Sequence, residues 1–240
     1  CTFPSTTFTT PQFAKEAKSL AVKLKKLKAK DLMELMHISK DIAELNVNRF
    51  KNWHLTAEPT EIVKPAGFLF TGEVYRGLDI STLSVGHLQK AQSNLRILSG
   101  MYGLLKPLDL MYPYRLEMGT KFEVKEGIAN LYQFWGDKLT KTLSKELEKN
   151  EPVINLASNE YAKAINWKKI KQPVVTPVFK EFKNGEYKIV MMYAKHARGA
   201  MTRYILENDI SDIEQLKGYN VDGYVFDVNQ STNQEWVFTR

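Results

Sequence analysis

Apolar residues recur every three or four positions near the start of the chain, which is the spacing of one face of an α-helix. The apolar stripe consists of Phe13, Ala17, Leu20, Leu24 and Leu27, and seven lysines occupy other positions of residues 12–30. The spacing predicts an amphipathic helix whose stripe packs on the core and whose lysines face solvent. A second helical pattern covers residues 31–50, with Asp31 as its expected N-cap.

Strand patterns are concentrated in the second half of the chain. The predicted strands cover residues 66–70, 153–156, 174–182, 186–193, 224–227 and 235–238, and further helices are predicted at 87–98 and 198–208. Asn184-Gly185 lies between two β-rich runs, which is typical of a hairpin with a two-residue turn. No internal repeat or linker divides the chain, so one domain is expected over residues 1–240. We predict an α+β (mixed α/β) fold with a mostly antiparallel or mixed sheet flanked by helices.

Composition narrows the class of protein. The chain has 240 residues, of which 43% are hydrophobic, and this apolar content is too high for a disordered chain. The single cysteine excludes an internal disulfide scaffold, and no apolar run is long enough to span a membrane. A cytoplasmic protein is therefore expected. The four histidines are scattered and show no metal-ligand spacing, so neither a metal nor a cofactor is predicted.

The net charge of +7 is unevenly distributed. Residues 12–30 carry a net charge of +6 and residues 161–204 a net charge of +8, whereas the remainder is acidic. Clustered lysines and arginines attract polyanions, although a charged run often serves only to solvate a helix. The distribution predicts a surface that is basic on one side.

The most specific segment is Gly100-Met101-Tyr102-Gly103, followed by Lys106. The apolar residues around it are interpreted as two helices, the first of which ends at Ser99. The pattern is close to a helix-hairpin-helix, in which the amides of a glycine turn face a nucleic-acid phosphate. The alternative is a glycine C-cap that joins two packed helices, and the residues alone do not decide between them.

Three further groups could contribute to an anion site. Arg115 and Glu117 project from one face of an extended segment, where they form either a structural ion pair or a phosphate contact with an adjacent base. Another group, at a predicted helix start, consists of Lys195, Arg198 and Arg203. Because the helix dipole disfavours cations there, a bound anion is expected. The last group, at a strand end, consists of Asn155, a possible cleft residue, and Ser158, an expected N-cap.

Together these segments resemble the YaaA family of peroxide-stress proteins. The matching stretches are residues 98–111, 113–119, 130–137, 153–158 and 193–199. The resemblance implies a cytosolic bacterial protein that limits peroxide damage by lowering free iron and protecting DNA. It also implies a basic cleft and a helix-hairpin-helix-like element that binds double-stranded DNA. The family's first strand and its Ser-Pro-Ala-Lys motif are not found in residues 1–11, so that strand is expected to be missing from this chain.

The leading hypothesis is a monomer that binds double-stranded DNA without reading its sequence. The predicted nucleic-acid contacts are Gly100, Tyr102, Gly103, Lys106, Arg115, Lys195, Arg198 and Arg203, with Glu117, Asn155 and Ser158 as possible cleft residues. One alternative is a phosphoester- or nucleotide-processing enzyme in which Glu117 acts as the base and Arg115, Lys195 and Arg198 hold the phosphate. Another is an interaction protein for an iron-handling partner. Since no known catalytic motif occurs, a non-enzymatic role is favoured and no catalytic residue is assigned.

Overall fold

Helices dominate the first half of the chain, and the main sheet is formed by the second half, in a computed structural model that describes residues 7–240. The helices are α1 (Ala14–Leu24), α2 (Ala29–Met36), α3 (Lys40–Asn52), α4 (Ala66–Leu69), α5 (Glu73–Leu78), α6 (Val85–Asn94), α7 (Leu131–Trp135), α8 (Lys138–Glu146), α9 (Asn159–Ala162) and α10 (Met191–Glu207). The strands are β1 (Lys64–Pro65), β2 (Ile97–Ser99), β3 (Gly103–Leu105), β4 (Leu110–Met111), β5 (Val153–Ile154), β6 (Val174–Lys183), β7 (Glu186–Lys188), β8 (Val225–Phe226) and β9 (Glu235–Thr239). Most of the stretch in which the family's first strand was sought, residues 1–6, lies outside the described residues.

The amphipathic helix predicted near the start of the chain is confirmed as α1. Its apolar stripe is buried in the largest hydrophobic cluster, and all seven lysines of residues 12–30 are exposed. Phe13, just before the helix, packs edge-on against Trp135 of α7 with ring centroids 5.4 Å apart. The stripe thus anchors the first half of the chain to the core, as its spacing predicts.

The single helix predicted over residues 31–50 is in fact two helices, α2 and α3. They are separated at His37, whose φ of 52° lies in the left-handed region and ends α2. Asp31 is the third residue of α2 and not its N-cap, and its carboxylate accepts a hydrogen bond from the Lys28 N–H at 2.8 Å. It satisfies a free amide at the helix start from inside the helix.

The main sheet is mixed, as predicted. Its strand order is β5-β6-β9-β8, and β7 pairs with the outer end of β6. The β5–β6 and β6–β9 pairs are parallel, whereas β6–β7 and β8–β9 are antiparallel. The predicted turn at Asn184-Gly185 is confirmed, because φ is 57° at Asn184 and 83° at Gly185, as a two-residue type I′ hairpin turn requires.

Several further predicted element types or bounds are wrong. The predicted strand at residues 66–70 is the short helix α4, which begins where the Ala66 and Gly67 amides bond to the carbonyls of Asp109 and Pro107. Helix α6 ends at Asn94, because the next apolar run is strand β2. The strand predicted over residues 186–193 ends at Lys188, and helix α10 begins at Met191, seven residues before the predicted start.

Helix α10 lies between the sheet and α5. One of its faces contributes Ala194, Ala197 and Met201 to the hydrophobic cluster on the sheet. On its other face, a methyl group added to Gly199 would lie 1.8 Å from the carbonyl oxygen of Val74 in α5. A methyl group on Gly77 would lie 2.1 Å from the carbonyl oxygen of His196. The two helices therefore cross with their backbones in contact, and only glycine fits at either position.

We expect the substitution Gly199→Ala to lower the free energy of unfolding by about 3 kcal/mol, because the new methyl group forces the two backbones apart. Urea unfolding followed by circular dichroism measures the change. Gly86→Ala in α6 is a matched helical control, since the nearest atom to its new Cβ is 3.9 Å away. The control should be neutral or stabilising, by up to about 1 kcal/mol. Equal stability of Gly199→Ala and the wild type would contradict this account of the helix crossing.

Candidate nucleic-acid interface and a tyrosine cluster

The segment interpreted as a helix-hairpin-helix is a β-hairpin. Strands β2 and β3 pair antiparallel, with Ile97 opposite Leu105 and Ser99 opposite Gly103. Gly103 has a φ of 74°, which the turn needs and which favours glycine. Short apolar runs are compatible with either a helix or a strand, so periodicity could not distinguish the two. The helix-hairpin-helix prediction at this segment is therefore wrong.

The turn glycines of this hairpin are buried. A methyl group on Gly100 would lie 2.2 Å from the carbonyl oxygen of Leu116. A methyl group on Gly103 would lie 2.7 Å from the Trp135 ring. The missing side chains thus allow close packing inside the protein, and neither glycine is available to a nucleic-acid phosphate, contrary to the sequence prediction.

Tyr102, another predicted nucleic-acid contact, is also inside the core. Its hydroxyl accepts hydrogen bonds from the Trp53 indole N–H at 2.8 Å and from the Tyr112 amide at 2.9 Å. It donates to the Tyr112 carbonyl at 3.2 Å. Tyr102 therefore joins three segments of the core and cannot contact DNA.

Lys106 remains near the surface, half-buried after β3. Its backbone amide donates to the Asp109 carboxylate at 2.7 Å, and Asp109 also accepts from the Thr9 hydroxyl at 2.6 Å. Burial raises the pKa of Asp109, although these hydrogen bonds and the nearby cation oppose that rise. The ammonium of Lys106 forms no ion pair or hydrogen bond within residues 7–240, so it stays a candidate contact.

The structure assembles a group of three tyrosines that the sequence reasoning did not identify. Tyr75 stacks on Phe70 with ring centroids 5.0 Å apart, and Tyr114 shares a hydrogen bond of 2.5 Å with the Ser99 hydroxyl. Burial raises the pKa of Tyr114 to about 12, and it also raises the pKa of Tyr75 and Tyr161. All three side chains are nevertheless partly accessible to solvent. The three tyrosines, called the tyrosine cluster below, are largely surrounded by protein and influence one another's ionisation.

Two carboxylates lie beside this tyrosine cluster. The charges of Glu160 and Glu117 both raise the pKa of Tyr161 further. Glu160 accepts a hydrogen bond from the Gly119 amide at 2.8 Å, which joins α9 to the segment that carries Tyr114. Glu117 is exposed and forms an ion pair of 2.8 Å with Arg115. Arg115 and Glu117 therefore form the structural ion pair, which is one of the two interpretations of these residues.

The other predicted cleft residues lie just before α9. Ser158 is its N-cap residue, as expected, although its hydroxyl makes no capping hydrogen bond. The amide of Asn155 donates to the Thr176 hydroxyl, and its oxygen accepts from the Ala157 amide, both at 3.2 Å. Asn155 therefore holds the end of β5 against β6. Both residues are half-buried.

Only a weak signal could have identified the tyrosines. Tyr75 and Tyr114 each precede an arginine, and Tyr161 follows a glutamate. A tyrosine beside a charge is common in any soluble chain, so the pattern alone does not indicate a site.

The basic face of α10 carries Lys195 and Arg198, one helical turn apart. They are the fifth and eighth residues of the helix, so the prediction that they lie at its N-terminus is wrong. The expectation of a bound anion that was based on the helix dipole therefore does not apply. Lys195 is exposed, whereas Arg198 is half-buried, and burial lowers the pKa of its guanidinium. Within the described part of the chain, neither side chain forms an ion pair or a hydrogen bond. Arg198 is thus a partly desolvated cation without a counter-charge.

Arg203 has a different role from the one predicted. Its guanidinium donates to the carbonyls of Leu78 and Asp79 and to the Thr82 hydroxyl, at 2.7–3.2 Å. It also forms an ion pair of 2.6 Å with Glu207. These partners occupy its donors, so Arg203 fastens α10 to the end of α5 and is not available to a phosphate.

The predicted site residues, all of which the structure describes, do not form one network of direct contacts. Across residues 7–240, no hydrogen bond, ion pair or ring contact joins Arg115 or Glu117 to Lys195 or Arg198. A depression of about 520 Å³ is lined by four lysines and lies elsewhere, where α3 meets the turn between α1 and α2. None of the predicted site residues lines it, and the basic cleft stays a prediction.

Two other expectations concern metals and membranes. The described residues contain no group of three or more His, Cys, Asp or Glu side chains placed to hold a metal ion. Among the same residues, every helix is too short or too polar to cross a bilayer.

Comparison with known proteins gives one consistent result. A family model described as peroxide stress protein YaaA matches residues 1–230. A UPF0246 protein of Aliivibrio fischeri is 50% identical over 239 residues, which cover 99% of this chain and 92% of the relative. A UPF0246 protein of Flavobacterium psychrophilum is 49% identical over 239 residues, which cover 100% of this chain and 94% of the relative. A UPF0246 protein of Neisseria gonorrhoeae is 47% identical over 239 residues, which cover 99% of this chain and 92% of the relative.

The tyrosine cluster should make the protein sensitive to alkali, because burial raises the pKa of its phenols. The Tyr114 phenol ionises near pH 10 in the unfolded chain, whereas burial raises its pKa to about 12 in the folded protein. Between these two pH values the phenol keeps its proton only in the folded protein. Its contribution to stability is therefore complete below pH 10 and is lost as the pH rises towards 12. Tyr114→Phe should flatten the decline of the free energy of unfolding between pH 10 and 12. Urea unfolding measures this, with Tyr187→Phe, at an exposed site, as the control. An unchanged slope in Tyr114→Phe would contradict the prediction.

Proposed function

We propose that this chain, which belongs to the YaaA family of peroxide stress proteins, binds double-stranded DNA as a monomer in the cytoplasm through contacts to phosphates. Binding would help limit the damage that peroxide and iron cause to DNA. Family membership supports the association with peroxide stress. The observation that carries the DNA proposal is the unpaired guanidinium of Arg198 on the basic face of α10.

A partly buried charge without a partner is unfavourable, and burial of such a group usually requires a counter-charge. Arg198 has none within the described residues, so its position is best explained by a ligand that supplies the negative charge. A phosphate matches the planar donor arrangement of a guanidinium, which can form two parallel hydrogen bonds to it. Lys195, one turn away and exposed, adds a second positive charge beside the same ligand.

Two features favour a nucleic acid bound without sequence recognition. Helix α10 contains no asparagine or glutamine, the residues that pair with adenine edges, and its cations suit phosphates. The exposed lysines of α1 add to the positive field that attracts a polyanion over longer distances. Contacts of this kind are independent of sequence and strongly weakened by salt.

The enzymatic alternative is not favoured by any observation of the site. It requires Glu117 as a free base beside the phosphate contacts. Glu117 is instead paired with Arg115, and no contact within residues 7–240 joins this pair to Lys195 or Arg198.

The test is the salt dependence of duplex binding, measured by fluorescence anisotropy with two duplexes of unrelated sequence. We expect equal affinities for the two sequences and a linear fall of log affinity with log salt. Lys195→Glu/Arg198→Glu should reduce affinity at least about tenfold and lower the salt slope by about two, since each phosphate contact contributes about 0.9.

The matched control is Lys15→Glu/Lys18→Glu, two exposed lysines with the same spacing on α1. It changes the net charge equally but should retain most of the salt slope. Lys195→Glu alone, at an exposed site, guards against misfolding of the double variant, and circular dichroism verifies the fold. Equal losses in the α1 and α10 variants, or binding that salt does not weaken, would refute the proposal.

A further inference from the structure

The hairpin formed by β6 and β7 projects from the main sheet. Beyond Lys180, β6 pairs with β7 in the register Glu181–Lys188, Phe182–Tyr187 and Lys183–Glu186. On the other side, the last sheet contact is the hydrogen bond from the Phe182 amide to the carbonyl of Arg240, the final residue. All residues from 182 to 187 are exposed. The tip is therefore a two-stranded ribbon with solvent around it.

This ribbon presents an aromatic pair to solvent. Phe182 is 60% exposed and Tyr187 is 44% exposed. Their rings contact each other edge to face, with centroids 5.1 Å apart. A β-ribbon needs only short polar residues at its turn, and neither ring belongs to a buried cluster. Two large rings held in place at an exposed tip indicate a binding surface.

The apolar surface continues into the start of α10. Ile189, Met191 and Met192 are each more than half exposed. Cations border this surface, because Lys183 and Lys195 are exposed, and Lys188 has only the exposed Glu186 as its partner. A partner that fits must offer flat apolar groups and negative charge side by side. Stacked base pairs between two phosphate backbones have that combination.

We propose that the β6–β7 ribbon enters a groove of the DNA duplex and bends it, with Phe182 wedged between neighbouring base pairs and Tyr187 packed beside it. This inference rests on the proposed function, because Lys195 and Arg198 hold the phosphates of the same duplex. Strands of DNA-binding proteins enter either the major or the minor groove of a duplex. Apolar wedges that unstack a base step in the minor groove are a known route to bending.

The ribbon is stiffly connected to the phosphate contacts. Only two residues separate the end of β7 at Lys188 from the start of α10 at Met191. The Asn184-Gly185 turn is also short, because it closes the ribbon with only two residues, both in the left-handed region. Bending and unstacking a duplex require energy. If the wedge is held in a fixed position relative to the phosphate contacts, the free energy of binding the phosphates can offset the cost of bending the duplex.

The test uses a duplex of about 30 base pairs with a fluorescence donor and acceptor at its ends, a length at which smooth bending is already unfavourable. Saturating wild-type protein should raise energy transfer, since bending shortens the distance between the ends. Phe182→Ala/Tyr187→Ala should bind with an unchanged salt slope but lose most of the rise in energy transfer. The matched control is Ile42→Ala/Leu45→Ala, which removes two similarly exposed apolar side chains from α3 and should bend the duplex normally.

Each other outcome overturns this inference. If the wild type binds the duplex without raising energy transfer, or if the double variant still bends it, the wedge is refuted and the proposed function stands. If light scattering shows that the wild type is a dimer and the double variant is a monomer, and if the double variant still bends the duplex, the ribbon is a self-association surface. If the wild type does not bind the duplex at all, both proposals fall.

Discussion

The close crossing of α5 and α10 is the contact on which the rest of the arrangement depends. Gly199 and Gly77 allow the two backbones to touch, and Arg203 bonds the end of α5 to the same face of α10. With that face fixed, the opposite face of α10 must cover the sheet, where its small residues pack against Phe179 and Phe238. Packing elsewhere in the helix therefore fixes the backbone positions of Lys195 and Arg198, on which the proposed phosphate contacts depend.

The parts of the fold that local chemistry determines could be predicted from the sequence. Helix α1 follows from a stripe of apolar residues with a period of 3.6, and the β6–β7 turn follows from Asn184-Gly185, because few other pairs tolerate two positive φ angles. Residues 97–105 are different. Their apolar run suits a helix or a strand equally well, and only the pairing of β2 with β3, together with burial of Gly103 against Trp135, selects the strand.

The candidate site was less predictable because it is assembled from distant segments. Tyr75, Tyr114 and Tyr161 come from three different segments, and no spacing along the chain relates them. The opposite error occurred with Gly100 and Gly103, where a local pattern resembled a phosphate turn but the glycines allow close packing in the core. A glycine turn indicates that a backbone comes close to something, and the sequence does not say whether that is a ligand or the protein itself.

Two features of α10 and the ribbon that precedes it are unfavourable for the protein alone. Arg198 is partly desolvated without a counter-charge, and the adjoining ribbon and helix start expose Phe182, Tyr187 and two methionines. An isolated instance of either feature is unremarkable in a soluble protein. Their occurrence on one continuous segment, residues 182–198, is informative, because a charged ligand would relieve only the first and an apolar partner only the second. The proposed duplex would relieve both, since its phosphates would neutralise the guanidinium and its base pairs would cover the rings. The net charge of +7 is thus less informative than the cations that lack partners and the apolar groups that lie beside them.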